Sequence, residues 1–236
     1  MSDKKNASIS KNYVEIIYGS ENKPFTNYPI QLTKFLFNKY HLKNKVKLLD
    51  VGCGRGEFLN GFIDMGLKGY GVDYSDVSND LCPKANIKQS DIEIDGIPFD
   101  DNFFDVIFSK SVIEHFHNPD TLINEIYRCL KPGGLVIIMA PSWEYNYKIY
   151  FEDYTHRTPF MKQSLHDILL INNFKNVNVE FFKQLPILWN AFSWPIKLVS
   201  FLTRILLPQK LSNYLKWVRF SKEVMLLASA KKPDNN

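Results

Sequence analysis

The sequence is poor in the features that mark most specialised classes. Only three cysteines occur in 236 residues, Cys53, Cys82 and Cys129, and no two of them form a CxxC pair. So odd and scattered a set builds no disulfide framework and spaces no zinc site, which leads us to expect a reducing, cytoplasmic setting and no metal. No apolar run follows the N-terminal "DKKNASISKN", which reads as a solvated tail and not as a signal peptide. Charge of one sign is also scarce. The net charge is +4, and the basic residues are dispersed, not gathered into a stripe, so nucleic acid is not expected as a partner. The single extended apolar stretch, "LPILWNAFSWPIKLVSFLTRILLP", is interrupted by Pro195, Lys197 and Arg204, which argues against a membrane-spanning helix.

What is present is ordinary for a globular chain: 45% apolar and 23% charged residues, enough for one α/β domain with appendages. "YPIQLTKFLFNKYH" places Ile30, Phe35, Leu36 and Tyr40 at near-helical spacing and predicts an amphipathic helix. From Lys45 the pattern changes to short apolar runs separated by helical segments. "VKLLDV", "KGYGVDYS", "FFDVIFSK" and "GGLVIIMAP" have the length of parallel strands buried on both faces. "EFLNGFIDMG" reads as a helix closed by Gly66. "NPDTLINEIYRCLKPGG" reads as another, capped by Asn118 or Asp120, with Leu122, Ile126 and Leu130 inward and Pro132-Gly133-Gly134 as its stop. "EVMLLASAKK" reads as a last strand. Alternating strands and helices predict right-handed crossovers and a doubly wound, Rossmann-like α/β sheet.

The chemistry concentrates in "KLLDVGCGRGEFL", where Gly52, Gly54 and Gly56 alternate just as a strand gives way to a helix. Missing side chains there either permit tight turning or let a ligand approach backbone NH groups beyond the carboxyl ends of the strands. The dinucleotide fingerprint requires a third small residue where Glu57 stands, a long acid that would repel a pyrophosphate. The D-x-G-x-G-x-G pattern beginning at Asp50 instead resembles the cofactor loop of class I S-adenosylmethionine-dependent methyltransferases of the type 11 kind. Three further blocks, "GVDYS", "QSDIEIDGIPFDDNFFDVIFSKSVIEHF" and "LKPGGLVIIMAP", follow in the family's order, over roughly residues 46 to 142.

That resemblance implies S-adenosyl-L-methionine as cofactor and a seven-stranded sheet, parallel but for one strand near the C-terminus. It implies Asp73 on both ribose hydroxyls, a task that suits a carboxylate because it accepts two hydrogen bonds. Asp91 would lie near the adenine amino group and Ile92 against the ring, with Gly52, Gly54, Gly56, Tyr74 and Ser109 completing the site. Asp50 would either touch the ligand or orient the glycine loop. Cys53 reads as a small packing residue. Residues 1–45 form a tail and cap, 46–142 the cofactor-binding core, and 143–236 a substrate-side cap with the final strand, all in one structural domain.

The acceptor is narrowed by exclusion. The Asn/Asp-Pro-Pro-Tyr motif of base amine methylation is replaced by "SKSVIEHF", and Cys82, though followed by proline, lies where no cytosine-C5 nucleophile would. "YFEDYTHRTPFMKQSLHDILLINNF" resembles the Thr-His…Pro-Phe…Ser-Leu…Leu-Leu…Phe run that follows the fifth strand in bacterial glycan, secondary-metabolite and ubiquinone-pathway O-methyltransferases. The resemblance puts His156 at the pocket mouth. Histidine titrates near neutrality, so it could remove a hydroxyl proton; the alternatives are a loop tie and a metal ligand. His115 would contact substrate or cofactor, or serve structurally. Arg157 would pair with an acceptor's phosphate or carboxylate, or stay within its loop. His41, His117 and His166 read as surface or helix residues. The expected partner is a small-molecule, sugar or lipid-linked hydroxyl acceptor. Rivals are C- or N-methylation of a lipophilic metabolite and a regulatory protein that binds the cofactor without catalysis. An NAD-dependent oxidoreductase is disfavoured by Glu57.

In residues 185–220 a helix after Pro195 would gather Lys197, Ser200 and Arg204 on one side and Leu198, Val199, Leu202, Ile205 and Leu206 on the other. With Trp189, Trp194, Lys210, Lys216 and Arg219 nearby, it is a lid over the pocket, a contact in a homodimer of an otherwise monomeric chain, or a peripheral membrane dock.

Overall fold

The computed structural model describes residues 24–76, 81–189 and 194–234, so the expected N-terminal tail lies outside the described residues. Seven strands form one sheet: β1 (Lys47–Val51), β2 (Lys68–Asp73), β3 (Asn86–Gln89), β4 (Phe104–Lys110), β5 (Leu130–Pro141), β6 (Lys175–Lys183) and β7 (Val224–Lys231). Their spatial order is 3-2-1-4-5-7-6, and β7 alone runs antiparallel to both neighbours. The order reverses between β1 and β4, where an open sheet of this kind leaves a crevice beyond its strand ends.

Helices cover both faces: α1 (Tyr28–Lys39), α2 (Glu57–Asp64), α3 (Pro119–Cys129), α4 (Lys162–Ile171), α5 (Trp194–Leu206) and α6 (Lys216–Lys222). Strand alternation explains the two cores. On β4, Val106 and Phe108 join Leu32, Leu36, Leu59 and Phe62 of α1 and α2 on one face. Ile107 joins Leu122 and Ile126 of α3 and Leu165 of α4 on the other.

Two local expectations are corrected. In α1 the inward residues are Pro29, Leu32, Thr33 and Leu36, whereas Ile30 is exposed. The helix capped by Asn118, whose side chain accepts from the Asp120 amide (3.3 Å), ends at Cys129. Leu130 opens β5 by pairing with Phe104, so Pro132 and Gly133 lie inside the strand's irregular start and do not stop a helix. In α5, whose inward side the sequence left open, Ser200 and Thr203 are buried and the leucines exposed.

Candidate functional site

A cavity of about 910 Å³ opens beyond the ends of β1, β2 and β4. This lies toward the upper end of the roughly 300–1,000 Å³ common for small-molecule pockets. Its first wall is the β1–α2 loop. Gly52, Gly54 and Gly56 all have positive φ (72°, 53° and 74°), so turning alone is sufficient reason for glycine in the loop. The surroundings then separate them. A Cβ on Gly52 would stand 2.3 Å from Cγ2 of Val112, so this glycine admits the neighbouring loop. A Cβ on Gly54 would meet nothing within 4 Å, and Gly54 lines the cavity. Gly56 starts α2 in the left-handed conformation and does not line the cavity.

Asp73, at the end of β2, accepts from the Gly54 amide through Oδ2 (2.8 Å) and the Ser75 amide through Oδ1 (2.9 Å). Each oxygen thus spends a lone pair on the loop, and the Tyr74 amide also supports the carboxylate. Burial raises its carboxyl above the usual range, opposed by those amides. Asp50 is buried beside it, with Oδ2 lacking a hydrogen-bond partner among the described residues; burial and then the Asp73 charge hold its carboxyl well above the usual range. Two crowded carboxyls of this kind favour a cationic guest over an anionic one.

Asp91 caps a short helical turn through the Glu93 amide (3.1 Å) and lines the cavity together with Ile92 and Tyr74. Ser109 does not: it lies within β4, paired with Val51 and Ile138, and the next residues, Lys110 and Ser111, reach the cavity. Glu57 is ion-paired with Arg55 at 2.6 Å, so its charge is compensated and repels phosphate less than the sequence suggested.

The opposite wall joins the loop after β4 to the loop after β5. The amides of Arg157 and Thr158 donate to the Glu114 carbonyl (2.8 and 3.1 Å), and Thr158 Oγ1 donates to the Phe116 carbonyl (2.9 Å). This zipper brings His115 and His156 together, ring centroids 4.9 Å apart. His156 Nδ1 lies 2.6 Å from the Tyr150 carbonyl, which can only accept, so Nδ1 carries the hydrogen. In the neutral ring Nε2 is then left with its lone pair. Thr155 donates its hydroxyl to Asp153 and so receives Nδ1–H of His115 at 2.9 Å, which exposes Nε2 there too. Burial, then the His156 ring, lowers the His115 pKa and keeps it neutral. Arg157 turns Nη1 onto the Tyr154 and His156 carbonyls (2.6 and 3.3 Å), so the guanidinium is engaged in its own loop at the cavity rim.

Glu114 was not singled out by the sequence. It is 1% exposed, neither carboxylate oxygen has a hydrogen-bond partner among the described residues, and burial pushes its carboxyl up to about 8. Only its place beside His115 in "IEHF" could have signalled it. Side-chain donors of Glu114, His115 and His156 lie within 4.8 Å of one another, so the fold assembles a set able to hold a divalent cation where sequence spacing offered none.

A raised acid has a signed consequence for stability. Between the ordinary glutamate value near 4.5 and about 8, the native state keeps a proton that the unfolded chain has released. Stability from this group is therefore intact below the lower value and falls by about 1.4 kcal/mol per pH unit through the window. The Glu114→Gln protein should gain on the parent as pH rises from 5 to 8, read as a growing difference in melting temperature. A difference independent of pH would contradict the buried-acid assignment.

Comparison with known proteins bears on the family and the fold. Residues 49–138 match the family model described as a methyltransferase domain. An uncharacterised methyltransferase of Mycobacterium leprae is 37% identical over 103 residues, covering 41% of this chain and 37% of that protein. Phosphoethanolamine N-methyltransferase 2 of Caenorhabditis elegans is 31% identical over 147 residues, 56% of this chain and 33% of that protein. The matches thus span about a third of the length of these curated relatives. Among solved structures, Haemonchus contortus phosphoethanolamine N-methyltransferase 2, in complex with phosphomonomethylethanolamine and S-adenosylhomocysteine, superposes with a TM-score of 0.62 at 21% identity, covering 86% of this chain and 52% of that one. A Haloferax volcanii methyltransferase solved with its Trm112 activator reaches 0.69 at 17% identity over 96% of both chains, a likeness of fold.

Proposed function

We propose, from the premise that residues 49–138 are a class I methyltransferase domain, that the chain transfers a methyl group from S-adenosylmethionine to a hydroxyl of a small molecule, sugar or lipid-linked glycan. The residues present fit that cofactor. Gly54 leaves open space where a side chain would stand, Asp73 has unused acceptor capacity for a vicinal diol, and Ile92 offers an apolar wall for a base. The raised carboxyls of Asp50 and Asp73 gain from a nearby positive sulfur.

When bound, S-adenosylmethionine supplies a methyl group already activated on a sulfonium. The chain must place the acceptor oxygen in line, keep water out and remove one proton. His156 takes that proton at Nε2, the Tyr150 carbonyl holds its tautomer, and the His115 ring limits its rotation. Asp153 and Thr155 orient His115 in turn.

The observation that carries the hydroxyl reading is the hydrogen bond from His156 Nδ1 to the Tyr150 carbonyl, which reserves Nε2 of this cavity-lining residue for an acceptor's proton. A second reading, transfer to nitrogen or carbon, takes support from relatives named for those chemistries, the phosphoethanolamine N-methyltransferase and a sterol 4-C-methyltransferase of C. elegans, 33% identical over 110 residues. Incubating the chain with cell extract and methyl-labelled cofactor distinguishes them. Labelled O-methyl product is expected; label confined to amines or carbon would replace the hydroxyl reading and leave the cofactor reading standing.

A further inference from the structure

Helix α5 wears its apolar side outward. Trp194, Leu198, Val199, Leu202, Ile205 and Leu206 are all exposed, Leu206 at 72% and Trp194 at 70%, whereas Ser200 is fully buried. The polar side is fastened to the protein. Ser200 Oγ receives Lys183 Nζ and donates to Ser221, both at 3.1 Å, and Trp217 Nε1 donates to Thr203 Oγ1 at 3.1 Å. Lys222 Nζ caps the Arg204 carbonyl at 3.0 Å. Rolling the helix to bury its leucines would break all four bonds and strand buried hydroxyls. The outward apolar face is therefore a fixed feature of the packing, and a contiguous exposed apolar face of this kind marks an interaction surface.

Basic residues dominate the segment that carries this face, although Glu223, just beyond it, pairs with Arg219 at 2.8 Å. From Phe181 to Lys222 there is no acidic residue, but Lys183, Lys197, Arg204, Lys210, Lys216, Arg219 and Lys222 are basic. Lys197, Lys210, Lys216 and Arg219 are exposed. Lys183 and Lys222 sit below the ordinary lysine value, through burial first and then the neighbouring cations Arg204 and Lys148. A second copy of this face would set the exposed Lys197, Lys210 and Lys216 against like charges, so an anionic surface is the better complement. No helix among the described residues is long and apolar enough to cross a membrane. At about 1.5 Å per residue, α5 reaches only some 20 Å, short of a hydrocarbon core of about 30 Å.

We propose that α5 seats the chain on an anionic lipid bilayer, its apolar face entering the headgroup–acyl boundary while the exposed Lys197, Lys210 and Lys216 meet lipid phosphates. Helix α6 packs against α5 and contributes Arg219 and Phe220 to the cavity wall, so docking places the cavity rim beside the lipid surface. That last consequence rests on the methyltransferase reading and favours an acceptor drawn from the membrane; the docking itself does not depend on it.

The test is co-sedimentation of the full chain with phosphatidylcholine vesicles containing about 30% phosphatidylglycerol, and with phosphatidylcholine alone. Binding to the anionic vesicles is expected, at least about tenfold weaker without the anionic lipid, and similarly weakened in Leu198→Glu/Leu202→Glu. Both substitutions lie on the exposed face, so circular dichroism and cofactor heats should match the parent. Absence of sedimentation with either vesicle would overturn the proposal, as would equal binding by the double variant. So would a lipid-free dimer that the double variant converts to monomer, since a second copy would then cover the face. Cofactor calorimetry on the same samples separates the two readings: vesicle binding without cofactor binding would sink the enzyme and spare the dock.

Discussion

Replacing Asp73 with alanine is expected to weaken S-adenosylmethionine binding by about 100-fold or more. A carboxylate accepting both hydroxyls of a diol makes two charge-assisted hydrogen bonds, each worth about 1.5–3 kcal/mol, and alanine removes both acceptors. The same carboxylate ties the Gly54 and Ser75 amides, so the variant also loosens the glycine loop. Asp73→Asn separates the two effects. It keeps one acceptor oxygen for the loop, and its affinity should fall between those of parent and alanine. The reading fails if calorimetry finds the alanine protein within threefold of the parent.

His156→Ala should lower turnover by about 10²–10⁴-fold, the usual contribution of a general base, with cofactor affinity unchanged within about threefold. The loop-tie alternative makes a different forecast. Glutamine could still donate to the Tyr150 carbonyl (2.6 Å from Nδ1 in the parent), so a purely structural role would be rescued by His156→Gln, whereas a base would not. Label transfer into the acceptor fraction gives the rates for both variants. Full activity in the glutamine protein would remove His156 from the chemistry and direct attention to His115, which lines the same cavity.

The strand–glycine–helix unit was legible because each part announces itself locally: an apolar run, residues that tolerate positive φ, then a helical period beginning at Glu57. Which glycine faces open space was not legible, since that depends on Val112 approaching Gly52 from a loop sixty residues downstream. The separation of apolar from polar residues in α5 was equally clear in sequence, yet periodicity defines faces without saying which one turns inward. The inward choice is made by buried hydroxyls at Ser200 and Ser221 and by Lys183, partners remote in the chain. Glu114 escaped for the same reason. A lone glutamate carries no pattern; its burial follows from the zipper that closes the Arg157 loop over its carbonyl. Glu57 shows the converse hazard, a residue whose apparent charge is offset by Arg55 only two positions earlier.

Titration calorimetry of the purified chain with S-adenosylmethionine and with S-adenosylhomocysteine tests the central claim most directly. One-to-one binding of both is expected, with a dissociation constant between about 1 μM and 1 mM for the methyl donor. A folded chain that gives no binding isotherm with either nucleoside would contradict the assignment of the Gly54–Asp73 wall, and with it the enzyme.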